Sequence, residues 1–416
     1  MTEAPLTRED LLALDRDDPL ARVRDEFDVN PDVVYLDGNS LGVPPRGVAE
    51  RVAAVVEVEW RGGLIRSWNA AGWIDAPARV GAKLARMLGA DGDEVVVADS
   101  TSVNLFKLLT AALRARPGRH VVLTEDTNFP TDLYIADGVS ALLRAEGVSV
   151  RRVPRSRLVD ALGDDVAVLY LTHAHYTTGQ LHDMHGLTSA AHRVGALALW
   201  DLSHSAGVVP VDLHAAGVDL AVGCGYKYLN GGPGAPAYLF VARRLQESLE
   251  TVLPGWMGHA APFEFSATYR PARGVLRYLC GTPPIISLAA LEVAVDLWLR
   301  IDMAAVRSKS MRLGDLFIRL VDERCAPYGF EVVSPRDAVL RGSQVSLRHS
   351  AGYAIMQALI DRGVIGDFRA PDVMRFGFAA PYTRYVDVWD AVDALSVVMD
   401  DGAWRDARYS TRAPVT

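Results

Sequence analysis

Residues 167–201, AVLYLTHAHYTTGQLHDMHGLTSAAHRVGALALWD, contain two apolar runs that each end in polar residues. The runs at residues 167–172 and 196–201 are continuous rather than alternating, which is typical of strands buried on both faces. A helix is predicted between them, near residues 187–194. Strand, helix and strand in this order predict a mostly parallel sheet with helices on both faces.

The same alternation extends to both sides of this stretch. Further strands are predicted at residues 94–98, 120–124, 219–222 and 237–241, and helices at residues 102–114 and from about residue 132. Residues 48–88 are predicted to be helical, with a break at residues 62–73. After about residue 287, one long helix to residue 321 precedes short strands near residues 330–333 and 345–347.

The chain has 416 residues, which is more than one hydrophobic core usually serves, so we expect two domains. We predict a large α/β domain at residues 46–290 and a smaller α+β C-terminal domain at residues 291–416. The N-terminal segment, residues 1–45, is expected to pack with the small domain.

Composition and charge exclude several classes of partner. The formal net charge of -8 argues against nucleic acid, because such binding depends on clustered lysine and arginine. Three scattered cysteines predict neither a disulfide framework nor a zinc site. The acidic start of the chain lacks the features of a signal peptide, and no apolar run approaches the roughly 20 residues of a membrane span. We therefore expect a cytoplasmic protein with no membrane partner.

Polar residues follow the predicted strands, where sheets of this type bind their ligands. Thr101 and Ser102 come directly after the strand at residues 94–98 and open a helix. Hydroxyl groups and free backbone N–H groups at a helix N-terminus suit a phosphate. The same residues also serve as ordinary helix caps, and this alternative stays open.

Asp201 ends a second strand, and Lys227 lies beyond the next one. A carboxylate at the position of Asp201 suits a protonated ring nitrogen, although a helix cap is the alternative. Lys227 lies between Tyr226 and Tyr228, before a glycine-rich turn, so we expect its amine to be partly desolvated. Desolvation favours the neutral amine, which forms Schiff bases, whereas most lysines lie at the surface. A phosphate cup, an acid and a lysine in this order are explained together by one cofactor, pyridoxal phosphate.

Two other motifs are weaker. His173, His175, His182 and His185 lie close in sequence, but no cysteine or carboxylate pair completes a ligand set, so we expect no metal. Residues 231–234, GGPG, lack the Gly-Lys-Ser/Thr ending of a phosphate-binding loop and predict a turn.

Ten stretches of the chain resemble the kynureninase family, in the bacterial form, within the aspartate-aminotransferase-like (fold type I) enzymes that use pyridoxal phosphate. The resemblance runs through nearly the whole chain. The matching stretches are residues 35–42 (YLDGNSLG), 64–69 (LIRSWN), 101–107 (TSVNLFK), 128–132 (NFPTD), 200–207 (WDLSHSAG), 226–234 (YKYLNGGPG), 255–259 (GWMGH), 277–282 (RYLCGT), 363–369 (GVIGDFR) and 374–377 (MRFG). Residues 173–177, HAHYT, depart from the family pattern, which affects only local detail.

The resemblance implies a fold, a reaction and a site. The fold is a large domain with a mostly parallel seven-stranded sheet and a smaller C-terminal domain. The reaction is hydrolytic Cβ–Cγ cleavage of L-kynurenine or 3-hydroxy-L-kynurenine, in tryptophan catabolism, by a homodimer with shared active sites. Lys227 would bind the cofactor as a Schiff base, and Tyr226 would bind phosphate and donate a proton. The remaining implied site residues are Thr101 and Ser102 for the phosphate; Phe129, Asp132, Thr172, Asp201 and His204 around the cofactor ring; Trp256 and Thr282, which would bind the cofactor from the neighbouring subunit; Arg375 for the substrate carboxylate; and Trp68 beside the aryl ring.

Two alternative functions remain open at this point. A cysteine desulfurase or selenocysteine lyase also uses pyridoxal phosphate, but that chemistry needs a mobile catalytic cysteine, and Cys325 is predicted at a helix end. The second alternative is a cofactor-carrying regulatory protein that has lost catalysis. The presence of Lys227, Asp201 and Arg375 argues against it, and turnover would exclude it.

Overall fold

The computed structural model describes residues 6–409, 411 and 412. Parts of two predicted segments lie outside the described residues. They are residues 1–5 of the N-terminal segment and residues 410 and 413–416 of the C-terminal domain. The strands of the described part are β1 (Val34–Tyr35), β2 (Val95–Val97), β3 (Val121–Glu125), β4 (Ser149–Val153), β5 (Val166–Thr172), β6 (Leu197–Asp201), β7 (Leu220–Gly223), β8 (Tyr238–Val241), β9 (Glu331–Val332), β10 (Gln344–Arg348), β11 (Val364–Ile365), β12 (Asp367–Arg369) and β13 (Val373–Gly377).

The α-helices alternate with these strands. They are α1 (Arg8–Arg16), α2 (Val48–Ala54), α3 (Ser67–Ala70), α4 (Ala76–Met87), α5 (Thr101–Arg114), α6 (Pro130–Leu142), α7 (Met184–Arg193), α8 (Arg243–Gln246), α9 (Ile285–Trp298), α10 (Met303–Arg324), α11 (Gly352–Ile360) and α12 (Tyr385–Asp400). A π-helix occupies Val55–Gly63.

A seven-stranded sheet forms the centre of the molecule, with the order β2-β8-β7-β6-β5-β3-β4. In this sheet β8 runs opposite to the other six strands, which are parallel to one another. The predicted mostly parallel seven-stranded sheet is therefore confirmed. The sequence patterns did not predict strand β4.

Helices cover both faces of this sheet. Along β5, Leu169 and Leu171 belong to one apolar cluster, whereas Val168 and Tyr170 belong to the other. Helices α5 and α6 contribute to the second cluster, and α4, α7 and α9 contribute to the first. Burial of successive side chains on opposite faces explains why the strands are apolar without alternation.

The C-terminal part forms a separate four-stranded antiparallel sheet with the order β12-β13-β10-β9. The N-terminal strand β1 pairs in parallel with β11, and α1 packs against α12. These contacts favour the predicted packing of the N-terminal segment with the small domain. The domain boundaries at residues 45 and 290 stay predictions.

One helical prediction is wrong, and another is confirmed only in outline. The single helix predicted to residue 321 is two helices, because the chain turns after Trp298 and Asp302 caps α10 by accepting a hydrogen bond from Ala304 N at 2.8 Å. The helical region at residues 48–88 contains the π-helix, a form that propensity does not predict. Within the described residues, we find no helix that is both long enough and apolar enough to cross a bilayer.

Candidate active site

Six strands of the central sheet, all except β8, end at the same edge, and nine of the predicted site residues lie at or after the ends of five of them. Thr172 and Asp201 are the last residues of β5 and β6, which are paired neighbours. The loop after β7 carries Tyr226 and Lys227, and the turn after β2 leads to Thr101. The sheet therefore collects residues that are far apart in sequence at one edge.

A cavity of about 200 Å³ lies at this edge. Nine predicted residues line it: Thr101, Ser102, Phe129, Asp132, Thr172, Asp201, His204, Tyr226 and Lys227. Thr131, Ala174, Tyr176 and Ser203 line the same cavity and were not among the predicted residues. The nine residues are thus brought together by the fold as the sequence predicted.

The N-terminus of α5 forms one end of the cavity. Ser100 is the capping residue, and its Oγ accepts a hydrogen bond from Val103 N at 3.4 Å. The cap is therefore supplied by Ser100, and the hydroxyls of Thr101 and Ser102 are left to line the cavity. An anionic group such as a phosphate fits this helix end, where the dipole and N–H groups favour negative charge.

Residues of the N-terminal segment hold the loop that carries Lys227 in place. Gly42 N donates to Tyr226 O at 2.9 Å, and a Cβ at Gly42 would lie 2.2 Å from Lys227 O, so only glycine fits there. Asn230 follows in a left-handed conformation, with φ of 58°, and its Nδ2 donates to Val43 O at 2.9 Å. The Lys227 amine lies 5.8 Å from the centre of the Phe129 ring.

Two buried carboxylates face the cavity. Burial raises the pKa of Asp132 well above its ordinary value, and the neighbouring Asp201 carboxylate raises it further. Burial also raises the pKa of Asp201, although a hydrogen bond from Ser203 N at 2.7 Å opposes this effect. Lys227 is the only lysine or arginine among the described residues that line the cavity. A second positive charge in the cavity, such as a protonated ring nitrogen, would therefore stabilise the ionised form of these two carboxyl groups.

The polar atoms of this cavity fit pyridoxal phosphate. Asp132 Oδ2 and Thr172 Oγ1 are buried and have no hydrogen-bond partner among the described residues. Buried polar atoms are usually paired, so these two atoms indicate a ligand with polar groups. Burial, followed by the positive charge of Lys227, holds the pKa of His204 well below its ordinary value, so the imidazole is neutral.

Arg375 lies on β13, outside the residues that line the cavity, and is fully buried. Its Nε donates to Asp367 Oδ1 at 2.6 Å, and its Nη2 also bonds Asp367. Its Nη1 donates to the backbone oxygen of Tyr176 at 2.6 Å, and Tyr176 does line the cavity. Burial alone would raise the pKa of Asp367, but the hydrogen bonds and charge of Arg375 hold it below its ordinary value. Asp367 therefore fixes the guanidinium beside the cavity as a charged pair.

Three predicted residues lie away from the cavity of their own chain. Trp68 packs edge-on against Trp73, with ring centres 6.0 Å apart. Trp256 is 38% exposed and packs against Phe263. Thr282 is exposed and lines a second cavity, which it shares with Tyr226. Within one chain the structure does not bring these three residues to the Lys227 amine.

The residues that the sequence prediction missed carry weak signals. Tyr176 and Ser203 follow β5 and β6 by a few residues, so a wider search at the strand ends would have found them. Asp367 lies in the matching stretch at residues 363–369, but only the pairing of β12 with β13 places it opposite Arg375.

The three cysteines are free, and none lines the cofactor cavity. Cys325 is buried at the end of α10, and burial raises the pKa of its thiol to about 11. Cys280 Sγ bonds Leu253 O at 2.9 Å. These positions argue against a cysteine-based desulfurase mechanism, because a reactive thiolate needs exposure and a lowered pKa.

Solved structures with the same fold include desulfurases and lyases that act on sulfur compounds. A cysteine desulfurase from Thermococcus onnurineus NA1 aligns with a TM-score of 0.76 at 17% identity, covering 91% of this chain and 98% of that one. The structure of C-DES with glycine covalently linked to its pyridoxal-phosphate cofactor aligns with a TM-score of 0.76 at 18% identity, covering 90% and 98%. The fold and the cavity define the class: fold type I, pyridoxal-phosphate-dependent enzymes.

Relatives at higher identity specify the family within this class. The kynureninase of Pseudomonas fluorescens is 51% identical over 415 residues, which cover 99% of this chain and all of that protein. The kynureninase of Burkholderia mallei (strain SAVP1) is 52% identical over the same coverage. A family model described as kynureninase C-terminal domain matches residues 306–395. The chain belongs to the kynureninase family, and it is a hydrolase of carbon–carbon bonds.

Proposed function

We propose that this enzyme hydrolyses L-kynurenine to anthranilate and L-alanine, and 3-hydroxy-L-kynurenine to 3-hydroxyanthranilate and L-alanine. One observation carries the proposal: Lys227 shares a cavity with Asp201, Thr101 and Ser102 in a chain that matches kynureninases over its whole length. The direct test is incubation of the cofactor-loaded enzyme with L-kynurenine while anthranilate fluorescence is followed. An absence of fluorescence from correctly folded, cofactor-loaded protein would contradict the proposal and favour a chain that has lost catalysis.

Pyridoxal phosphate, when bound, supplies an electron sink for negative charge that develops on the substrate carbons. Thr101, Ser102 and Tyr226 would hold its phosphate, Phe129 would cover its ring, and Asp201 would keep its ring nitrogen protonated. Asp132, Thr172 and His204 would contact the rest of the cofactor.

Side chains of the protein carry out the remaining steps. The Arg375 guanidinium binds the substrate α-carboxylate, which fixes the substrate relative to the Lys227 amine. The Lys227 amine, freed when the substrate amine takes its place, removes the proton from Cα as a general base. Water then adds to the aryl ketone, and cleavage of the Cβ–Cγ bond releases anthranilate. The Tyr226 hydroxyl returns a proton to the remaining three-carbon fragment, since Tyr226 lines the same cavity as Lys227.

Borohydride reduction of the cofactor-loaded protein is expected to fix the pyridoxyl group on Lys227, because this is the only lysine that lines the cavity among the described residues. Peptide mapping by mass spectrometry checks the site of attachment. Lys83 serves as the internal control, since it forms ion pairs with Glu292 and Asp296 instead. A label on Lys83 or Lys107 would overturn the assignment of the site.

We further propose a homodimer in which Trp256 and Thr282 of each chain complete the site of the other. Two groups of apolar side chains are exposed on one chain. The first comprises Trp60, Leu64 and Ile65, of which Ile65 is 76% exposed, and the second comprises Phe263 and Phe265 beside Trp256. Apolar surface of this kind favours burial against a second copy.

Mixing Lys227→Ala chains with Trp256→Ala chains is expected to restore activity that neither variant has alone. One of the two sites in such a hybrid keeps both Lys227 and Trp256, so mixing should recover up to about a quarter of the wild-type activity when random exchange makes half the dimers hybrid. The control mixes Lys227→Ala chains with chains that carry both substitutions, which cannot form an intact site. No recovery after confirmed subunit exchange would contradict the shared site.

L-Kynurenine is expected to be used more efficiently than 3-hydroxy-L-kynurenine. Trp68 and Thr282, which we place beside the aryl ring, offer an extra ring hydroxyl little hydrogen bonding, and a hydroxyl that loses water without a partner costs about 1–3 kcal/mol. The combined substitution Trp68→His with Thr282→Asn should narrow the difference. Comparison of kcat/KM for both substrates on both proteins decides this, and a parent enzyme that favours the hydroxylated substrate would refute the pocket assignment.

The enzyme is proposed to act in the cytoplasm as part of tryptophan catabolism. Its three free cysteines suit a reducing compartment.

A further inference from the structure

A fully buried lysine, Lys107, lies behind the cofactor cavity on α5 and does not line it. Its Nζ donates to Tyr278 O at 2.6 Å and forms a short ion pair with the Asp99 carboxylate. The neighbouring residues of α5, including Leu105 and Leu108, belong to an apolar cluster. A buried ammonium in apolar surroundings is stable only while it is paired, so both partners are held firmly to it.

The first partner, Asp99, begins the turn that holds the phosphate end of the cavity. Asp99 has a left-handed backbone with φ of 46°, a conformation that few residues other than glycine, asparagine and aspartate adopt. It directly precedes Ser100, which caps α5, and Thr101, which lines the cavity. The ion pair with Lys107 therefore holds the left-handed residue from which the predicted phosphate cup begins.

The second partner, Tyr278, begins the segment that carries Thr282. Tyr278 ends a 3-10 helix, and residues 279–282 follow it without regular structure. Met257 N donates to Cys280 O at 3.2 Å, and a Cβ at Gly255 would lie 2.3 Å from the same oxygen. The neighbours of Trp256 therefore pack directly on this segment, so a shift of Tyr278 is transmitted to both residues that we assign to the partner's site.

We propose that Lys107 is a positioning residue that couples the phosphate-binding turn of its own subunit to the segment that completes the active site of the other subunit. This inference rests on the shared-site dimer proposed above. Lys107 acts on its own site through Asp99 and on the other site through Tyr278. One side chain would thus determine cofactor affinity in one site and the position of substrate-pocket residues in the other.

Hybrid dimers separate the two effects of Lys107→Met. Methionine keeps an unbranched apolar side chain in the buried position, and the Asp99 carboxylate that it leaves unpaired is 29% exposed, so water can solvate it. In each hybrid, one chain carries Lys227→Ala, so only the other chain shows turnover and the visible absorbance of lysine-bound cofactor.

With Lys107→Met on the active chain, we expect the cofactor dissociation constant of that chain to rise about tenfold, because a charged hydrogen-bonded pair is lost behind the cup. With Lys107→Met on the Lys227→Ala chain, we expect the cofactor affinity of the active chain to change less than in the first arrangement, because the phosphate-binding turn of the active chain is intact. In that arrangement the ratio of kcat/KM for L-kynurenine to that for 3-hydroxy-L-kynurenine should change about threefold, because small displacements of pocket residues alter specificity. Lys83→Met, which removes a lysine paired with Glu292 and Asp296, should change neither quantity in either placement.

The coupling would be refuted if the substitution on the Lys227→Ala chain left the substrate ratio unchanged, or if both placements altered the same quantities equally. Should Lys107→Met fail to fold, Asp99→Asn in the same two placements tests the turn and the segment through the other end of the ion pair. If Lys227→Ala and Trp256→Ala chains exchange subunits but recover no activity, the shared site itself is wrong, and that failure is seen before Lys107 is tested.

Discussion

Replacement of Asp201 by asparagine is expected to lower kcat for L-kynurenine by about a hundredfold or more, while the fold stays intact. The carboxylate lies at the end of β6, 5% exposed, and accepts a hydrogen bond from Ser203 N at 2.7 Å. Asparagine keeps this hydrogen bond through its carbonyl oxygen but removes the negative charge. Without that charge, the ring nitrogen of the cofactor loses the partner that keeps it protonated, and the electron sink is weakened.

Steady-state kinetics and the visible spectrum of the bound cofactor measure this effect, and thermal unfolding checks the fold. Asp212→Asn is a suitable control, because the Asp212 carboxylate is exposed and caps a turn by accepting from Ala215 N at 2.8 Å. Near-normal turnover by Asp201→Asn would return Asp201 to the role of a helix or turn cap.

Replacement of Arg375 by lysine is expected to raise KM for L-kynurenine by about 10- to 100-fold, with a smaller change in kcat. Lysine keeps the positive charge but not the planar fork that binds a carboxylate through two hydrogen bonds. It also cannot reproduce the paired hydrogen bonds that Arg375 makes to Asp367. The loss should therefore fall mainly on substrate binding.

Two further variants sharpen this test. Arg348→Lys on the neighbouring strand changes an exposed arginine that pairs with Glu331, and it should leave KM unchanged. Asp367→Asn should raise KM less than Arg375→Lys does, because the guanidinium remains but is held less firmly. An unchanged KM in Arg375→Lys would show that the α-carboxylate binds elsewhere.

Much of the fold could be predicted because buried parallel strands have an unmistakable composition. The runs that became β5 and β6 are apolar throughout, since both faces of the sheet are covered. Strand β4 has the sequence SVRRV and pairs only with β3, so its partly exposed residues carry no such pattern. An edge strand of this kind is defined by its neighbour rather than by its own residues.

The candidate site could be predicted where its residues lie at strand ends and helix starts. Asp201 and Thr101 were identified by these positions, and the family pattern added Phe129 and His204. Trp256 could not be placed in the same way, because we propose that it acts in the site of a second chain. Asp367 was missed because its partnership with Arg375 arises from strand pairing in the small domain.

The contacts of the N-terminal segment have a consequence for the order in which the enzyme is made. Ser40 bonds Arg375, a residue that lies 335 positions later in the chain, and Gly42 closes against the backbone of Lys227. On the ribosome, Ser40 emerges long before either partner exists, so this segment must wait until nearly the whole chain has been synthesised. Contacts between such distant residues form late, because closing the loop costs entropy before any contact offsets it. We therefore expect the Lys227 loop and Arg375 to be completed together in one of the last steps of folding, and a nascent chain released early to have a formed sheet but an incomplete cavity.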